Sequence, residues 1–308
     1  MKNYFLKLFI VFSLLFNSGS SYNININKTK SLRLENTFVF ISTHLKLEKI
    51  NSQCVNANCY QIFDNEKEVD RINNVLIDTP MIVGSGFIYD LSMTTKILTA
   101  DHLCTKIDEY LKYSKEFNDS KIELLSELGE SIKIDHLLFL QVLNNHSLIP
   151  VVTLFDFNGN KYKYNKTIKQ DKNKDLCAIE SDSLFGEKIE LSEKNCTYGE
   201  EVVNISAADG IYLPKAIPYY TGIYSGHVKN SKFKVYEKGV EVSLYSIDIS
   251  EGSSGSAVFS KKTNKLCGNI NASLRKAKLS LGSSSDTIKE FLDGDTGSRD
   301  KIKKHLKH

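Results

Sequence analysis

An excess of charge of one sign is the first thing this 308-residue chain lacks: 40 lysines and arginines face 37 aspartates and glutamates, for a formal net charge of +3 at pH 7. The basic residues are scattered, so the chain carries no electrostatic footprint for nucleic acid. The one dense cluster, Lys301 to Lys304, reads as part of a solvated polar tail over 293–308. Long apolar runs are also missing. The N-terminal run Leu8 to Phe16 falls well short of the roughly 20 residues a spanning helix needs, and no later segment qualifies, which argues against stable membrane insertion. Tightly paired cysteine or histidine spacings are absent too, so no zinc site is expected. There is no internal repeat.

What is present begins with a leader. Lys2 and Lys7 precede the apolar run, and small or polar residues follow from Asn17 to Ser21. This is the layout of a secretory signal peptide over 1–21, cleaved after Ser20 or Ser21. An N-terminal extension over 22–35 would follow, and the mature protein would be secreted or periplasmic. Six cysteines, an even number in an exported chain, favour disulfides. Cys54 and Cys59 are spaced to close a small loop. The other four, Cys104, Cys177, Cys196 and Cys267, allow three pairings.

Short apolar and β-branched runs recur along the chain, separated by Asn, Asp, Gly and Ser, as in an all-β barrel or sandwich. They include Thr37 to Ile41, Gly86 to Tyr89, Lys96 to Thr99, Val151 to Phe157, Glu201 to Ile205, Tyr219 to Tyr224, Val240 to Ile247 and Ala257 to Phe259. Asn158-Gly159 between two runs predicts a hairpin. From Thr105 to Leu128 the apolar spacing turns helical, with Gly129 as a stop, and a second helix is expected over Asp286 to Leu292 with Ser285 as its N-cap.

Three segments carry chemistry. In Glu251-Gly-Ser-Ser-Gly-Ser-Ala-Val-Phe259 a serine lies between glycines that permit a sharp turn and bring bare N–H groups towards a substrate carbonyl. Ile97-Leu-Thr-Ala-Asp-His102 ends a strand on a histidine, the side chain suited to take a proton near neutrality and return it. Lys174-Asp-Leu-Cys-Ala-Ile179 sends a carboxylate into an apolar strand, where it would hold an imidazole in one tautomer. The other histidines, His44, His136, His146, His227, His305 and His308, lack such context. An α/β-hydrolase is disfavoured, since its Gly-x-Ser-x-Gly elbow and alternating strands and helices are missing. If His102 and Asp175 meet, Cys104 and Cys177, each two residues further on, are the favoured pair, leaving Cys196 with Cys267.

Gly84-Ser-Gly-Phe87, Leu98-Thr-Ala-Asp-His102, Asp175-Leu-Cys-Ala-Ile179 and Gly252-Ser-Ser-Gly255, in that order, resemble the trypsin-like (chymotrypsin-fold) serine peptidases over about residues 36 to 292. The resemblance implies two packed six-stranded antiparallel β-barrels with a helical insertion and a C-terminal helix, the site lying between the barrels. It implies a serine endopeptidase with Ser254 as nucleophile, His102 as general base and Asp175 as orienting acid. Gly252 and Ser254 N–H groups would form the oxyanion hole, and Asn271, Ala272 and Ser273 the strand that pairs with substrate. Asp248, six residues before Ser254, falls where tryptic relatives carry a specificity carboxylate. Ser253 replaces the aspartate that pairs with a new N-terminus in digestive members, so the chain looks more like bacterial or viral members that fold active without that pair. The expected partner is a polypeptide substrate, with no cofactor, metal or nucleic acid, and the protein is expected to be a monomer. The alternative is a catalytically inactive homologue acting as a binding or adhesion protein.

Overall fold

The structure is a computed structural model, and it describes residues 33–49, 66–78, 80–113, 146–192, 195–229, 236, 239–274 and 277–294. The expected signal peptide, the Cys54/Cys59 loop, most of the helical stretch after Tyr113 and the polar tail lie outside the described residues.

The first half builds a closed antiparallel barrel. Its strands are β1 (Phe38–Lys49), β2 (Ile82–Asp90), β3 (Thr95–Thr99), β4 (His146–Asp156), β5 (Lys161–Asp171) and β6 (Leu176–Ser181), in the order β1-β2-β3-β6-β5-β4. Pairing of β1 with β4 closes the ring, which leaves no sheet edge. Two-residue periodicity sorts the side chains. Val39, Ile41, Ile88, Ile97, Leu154 and Ile179 gather in one cluster, and their neighbours Phe38, Phe40, Phe87, Leu98 and Ala178 in another shared with the second half of the chain. Both faces of these strands are therefore apolar, and each Val, Leu, Ile or Phe side chain among them contributes about 1.5–3 kcal/mol of burial.

The second half is a curled sheet of seven strands: β7 (Glu201–Ile205), β8 (Tyr219–Lys229), β9 (Glu241–Tyr245), β10 (Ser256–Ser260), β11 (Leu266–Ile270), β12 (Ala272–Leu274) and β13 (Leu279–Gly282), in the order β11-β10-β7-β8-β9-β13-β12. Seven strands stand where six were expected because Asn271 interrupts what would be one strand. The two ends of the order, β11 and β12, are separated in sequence only by Asn271, whose N–H donates to Leu281 O at 2.8 Å. Val203, Ile205, Ala257, Phe259 and Leu266 turn towards the first barrel's cluster, whereas Val202, Val258, Tyr245 and Ile270 pack among themselves.

Three α-helices lie among the described residues: α1 (Glu66–Asp78), α2 (Asp101–Lys112) and α3 (Ser285–Asp293). The helix expected from Thr105 instead starts at Asp101, directly after β3, and packs Leu103, Cys104 and Ile107 on the first barrel's core. The N-cap of α3 is Ser284, whose Oγ accepts from Thr287 N, and not Ser285. Ser285 is buried and donates its Oγ to Asn195 Oδ1 at 3.0 Å instead. Disulfides join Cys104 to Cys177 and Cys196 to Cys267, the favoured pairing.

Candidate active site

His102 is the second residue of α2, and it meets Asp175 twice. An α-helix leaves its first amides without partners, and the His102 N–H donates to Asp175 Oδ1 at 3.0 Å. The ring Nδ1 lies 3.1 Å from Oδ1 and 3.0 Å from Oδ2 of the same carboxylate. A carboxylate oxygen without a proton only accepts, so Nδ1 is the donor in this contact, and a neutral ring held this way has its lone pair on Nε2. Asp175 side chain is 3% exposed and that of His102 35%, so the acid is sealed and the base reaches solvent.

Asp175 closes the turn after β5 in a left-handed conformation, φ 49°, which short polar side chains tolerate. Its backbone is held from the other half of the chain: Asn271 Nδ2 donates to Asp175 O at 2.8 Å, and Ser283 Oγ to Lys174 O at 2.7 Å. The Cys104–Cys177 disulfide, two residues beyond each partner, ties α2 to β6. Beside the pair, burial and then the Asp175 charge hold the Asp101 carboxyl above its usual range.

Ser254 sits half-buried on the turn that leads into β10. Gly252 and Gly255 adopt φ 89° and 87°, and the space beside them is taken. A Cβ on Gly252 would lie 2.2 Å from Ala207 O, and one on Gly255 2.1 Å from Thr99 Oγ1 and 2.8 Å from Ala100 N. The turn is thus pressed against the end of β3, two residues before His102. Ser85 of β2 fastens it there. Its N–H donates to Ser254 O at 2.9 Å and its Oγ to Gly252 O at 2.8 Å, while that Oγ accepts from Ala207 N at 3.1 Å and Ser85 O accepts from Thr99 Oγ1 at 2.7 Å. Sequence reasoning assigned Ser85 no role of its own; its only signal was membership of the Gly84 to Phe87 motif. Ser253 is buried and donates its Oγ to Ser206 Oγ at 3.0 Å.

Glu251 O accepts from Asp209 N and Ser253 O from Ser256 N. Since a trans peptide points its N–H opposite its carbonyl, the Gly252 and Ser254 N–H groups face away from these contacts. Among the described residues neither N–H donates to another protein group. Nor does a hydrogen bond join His102 Nε2 to Ser254 Oγ among the described residues; in substrate-free enzymes such bonds are often long and tighten on binding.

A cavity of about 680 Å³ opens beside Ser254, and Asn271, Ala272 and Ser273 are among the residues that line it. Asp248 does not. The alternation of β9 continues past its end, burying Tyr245, Ile247 and Ile249 and exposing Ser246 and Asp248, so the carboxylate points outward. Ile249 lines the cavity in its place. Among the described residues β12 ends its sheet order, paired with β13 on one side only. For metal, the described residues offer one three-donor cluster, Cys196, Glu200 and Cys267. Its two sulfurs are bonded to each other and offer no thiolate. His44 and His146 are buried away from the site, and His227 contacts Tyr224 OH.

No family model matches the chain, and a search of curated proteins finds no match. Solved structures do resemble it. One is the Rv3671c protease in an inactive form, at 10% identity, TM-score 0.50, covering 85% of this chain and 89% of that one. Another is an inactive serine-to-alanine mutant of Rv3671c from M. tuberculosis H37Rv, at 10% identity, TM-score 0.49, covering 85% and 87%. At 10% identity the likeness concerns the fold alone: a closed six-stranded barrel followed by a curled seven-stranded sheet, consistent with a two-barrel chymotrypsin fold.

Proposed function

We propose that this chain is an exported serine endopeptidase that hydrolyses peptide bonds through an acyl-enzyme. The observation that carries the reading is the sealed Asp175 carboxylate holding His102 Nδ1, with the glycine-flanked turn of Ser254 pressed against Thr99 and Ala100 just before His102 and a cavity beside Ser254 that β12 helps to line. Ser254 Oγ attacks the substrate carbonyl while His102 Nε2 takes its proton. Asp175 stabilises the imidazolium, and the N–H groups of Gly252 and Ser254 receive the oxyanion. Collapse expels the amine, which leaves with the proton from Nε2. Water then attacks the acyl group along the same route and frees the acid. The substrate backbone lies along β12, adding a strand to its open edge. Two disulfides support export to an oxidising compartment.

The test is digestion of an unstructured protein such as casein by the purified chain and by its Ser254→Ala variant, with the products read by mass spectrometry. Cleavage by the wild type alone is expected. Equal silence from both would favour the alternative, a binding protein built on the same fold.

A further inference from the structure

We infer that the cavity beside Ser254 receives an uncharged, aliphatic side chain from the residue that precedes the scissile bond, and that Ile249 sets this preference. The inference rests on Ser254 being the nucleophile. A chain paired with the edge of β12 and presenting its carbonyl to Ser254 has the side chain before that carbonyl next to both, and the cavity between them is the space available to it.

Its walls decide what fits. Ile249, Ile270, Ala272 and Leu274 supply aliphatic surface. Two of the polar groups are already committed within the protein: Ser253 Oγ to Ser206, and the Asn271 amide to Asp175 O through Nδ2 and to Asn269 Nδ2 through Oδ1. Glu251 is the one charged residue of the lining among the described residues, and it is exposed to water and has an interaction of its own. Asp248, the carboxylate that would neutralise a lysine or arginine, is turned outward. A charge brought into this space would lose its hydration without gaining a buried partner. An aliphatic side chain loses only contact with water.

Casein digestion mapped by mass spectrometry, with fluorophosphonate labelling run in parallel, tests this. Kinetics on peptides differing only in the residue before the cut, Leu, Lys or Glu, give the size. The Leu peptide is expected to exceed the others by about 100-fold in kcat/KM. Ile249→Asp, checked for folding by circular dichroism, is expected to raise the Lys peptide relative to Leu by at least about tenfold. Ile249→Ala, which widens the cavity, is expected to shift preference from Leu towards Phe.

Cleavage after Lys or Arg by the wild type overturns the proposal and points to Glu251. Cleavage after Asp or Glu overturns it too. Unchanged selectivity in both variants removes Ile249 from the role. A chain that is labelled at Ser254 but cleaves after charged residues contradicts this inference alone. A chain neither labelled nor active takes the peptidase reading down with it.

Discussion

Replacing Ser85 with alanine removes one buried oxygen that serves both halves of the molecule. Ser85 Oγ donates to Gly252 O and accepts from Ala207 N, so Ser85→Ala breaks two hydrogen bonds and leaves a carbonyl and an amide without these partners in the interior. At about 1 kcal/mol net per bond, with the desolvation of the stranded groups added, the loss comes to about 2–4 kcal/mol. The effect on chemistry should exceed what stability alone gives. Gly252 contributes one of the two proposed oxyanion donors, and its carbonyl is released by the substitution. Complete loss of such a donor costs about 100-fold to 1,000-fold, so a loosened one should cost about tenfold to 100-fold. Equilibrium urea denaturation measures the first quantity, and the second-order rate of fluorophosphonate labelling under conditions where both proteins are folded measures the second. A variant within about 0.5 kcal/mol of wild type and labelled at the same rate would refute the assignment of Ser85 as the fastening between β2 and the nucleophile turn.

Replacing Cys104 and Cys177 together with alanine opens a loop of 73 residues. Loop-closure entropy puts the cost at about 4 kcal/mol, read as a fall in denaturation midpoint, with a loss of labelling rate because α2 carries His102 and Asp175 directly precedes β6. His44 gives a pH dependence. Burial, then Lys161 and Lys46, lower its pKa from 6.5 to about 4. Between those values the unfolded chain binds a proton that the folded protein refuses, so stability falls as pH drops from about 6.5 to about 4. Tm against pH is expected to slope downward on acidification in that window, and His44→Gln is expected to flatten it.

Much of the fold was legible because the strands obey a two-residue period. Runs such as Phe38-Val39-Phe40-Ile41 read as continuous apolar stretches because one set of side chains enters the barrel core and the other the seam with the second sheet. Helix α1 was not legible. Its core contacts rest on a few apolar residues, Val69, Ile72, Leu76 and Ile77, set among charged neighbours and Asn73-Asn74, which have weak helix propensity. Asn73 is explained only by tertiary structure, where its Oδ1 accepts from Leu47 N at 2.7 Å.

At the site, His102, Asp175 and Ser254 stood out by residue type and context, and the structure brings the first two into contact. Asp248 misled because a count of residues back from Ser254 ignores direction. The alternation Tyr245-Ser-Ile-Asp-Ile249 already turns the aspartate outward and the isoleucine in. Asn271 has a role that no linear pattern announces. It stands between β11 and β12, and its amide holds the backbone of Asp175 across the two halves.

The central claim is that Ser254 becomes a nucleophile through His102 and Asp175. Peptide mapping after fluorophosphonate treatment tests it most directly, on wild type and on His102→Ala. One adduct on Ser254, formed by the wild type and abolished or slowed by several orders of magnitude in His102→Ala, is predicted. No adduct on a folded wild-type protein, an adduct on another serine, or equal labelling of the two proteins would contradict the account.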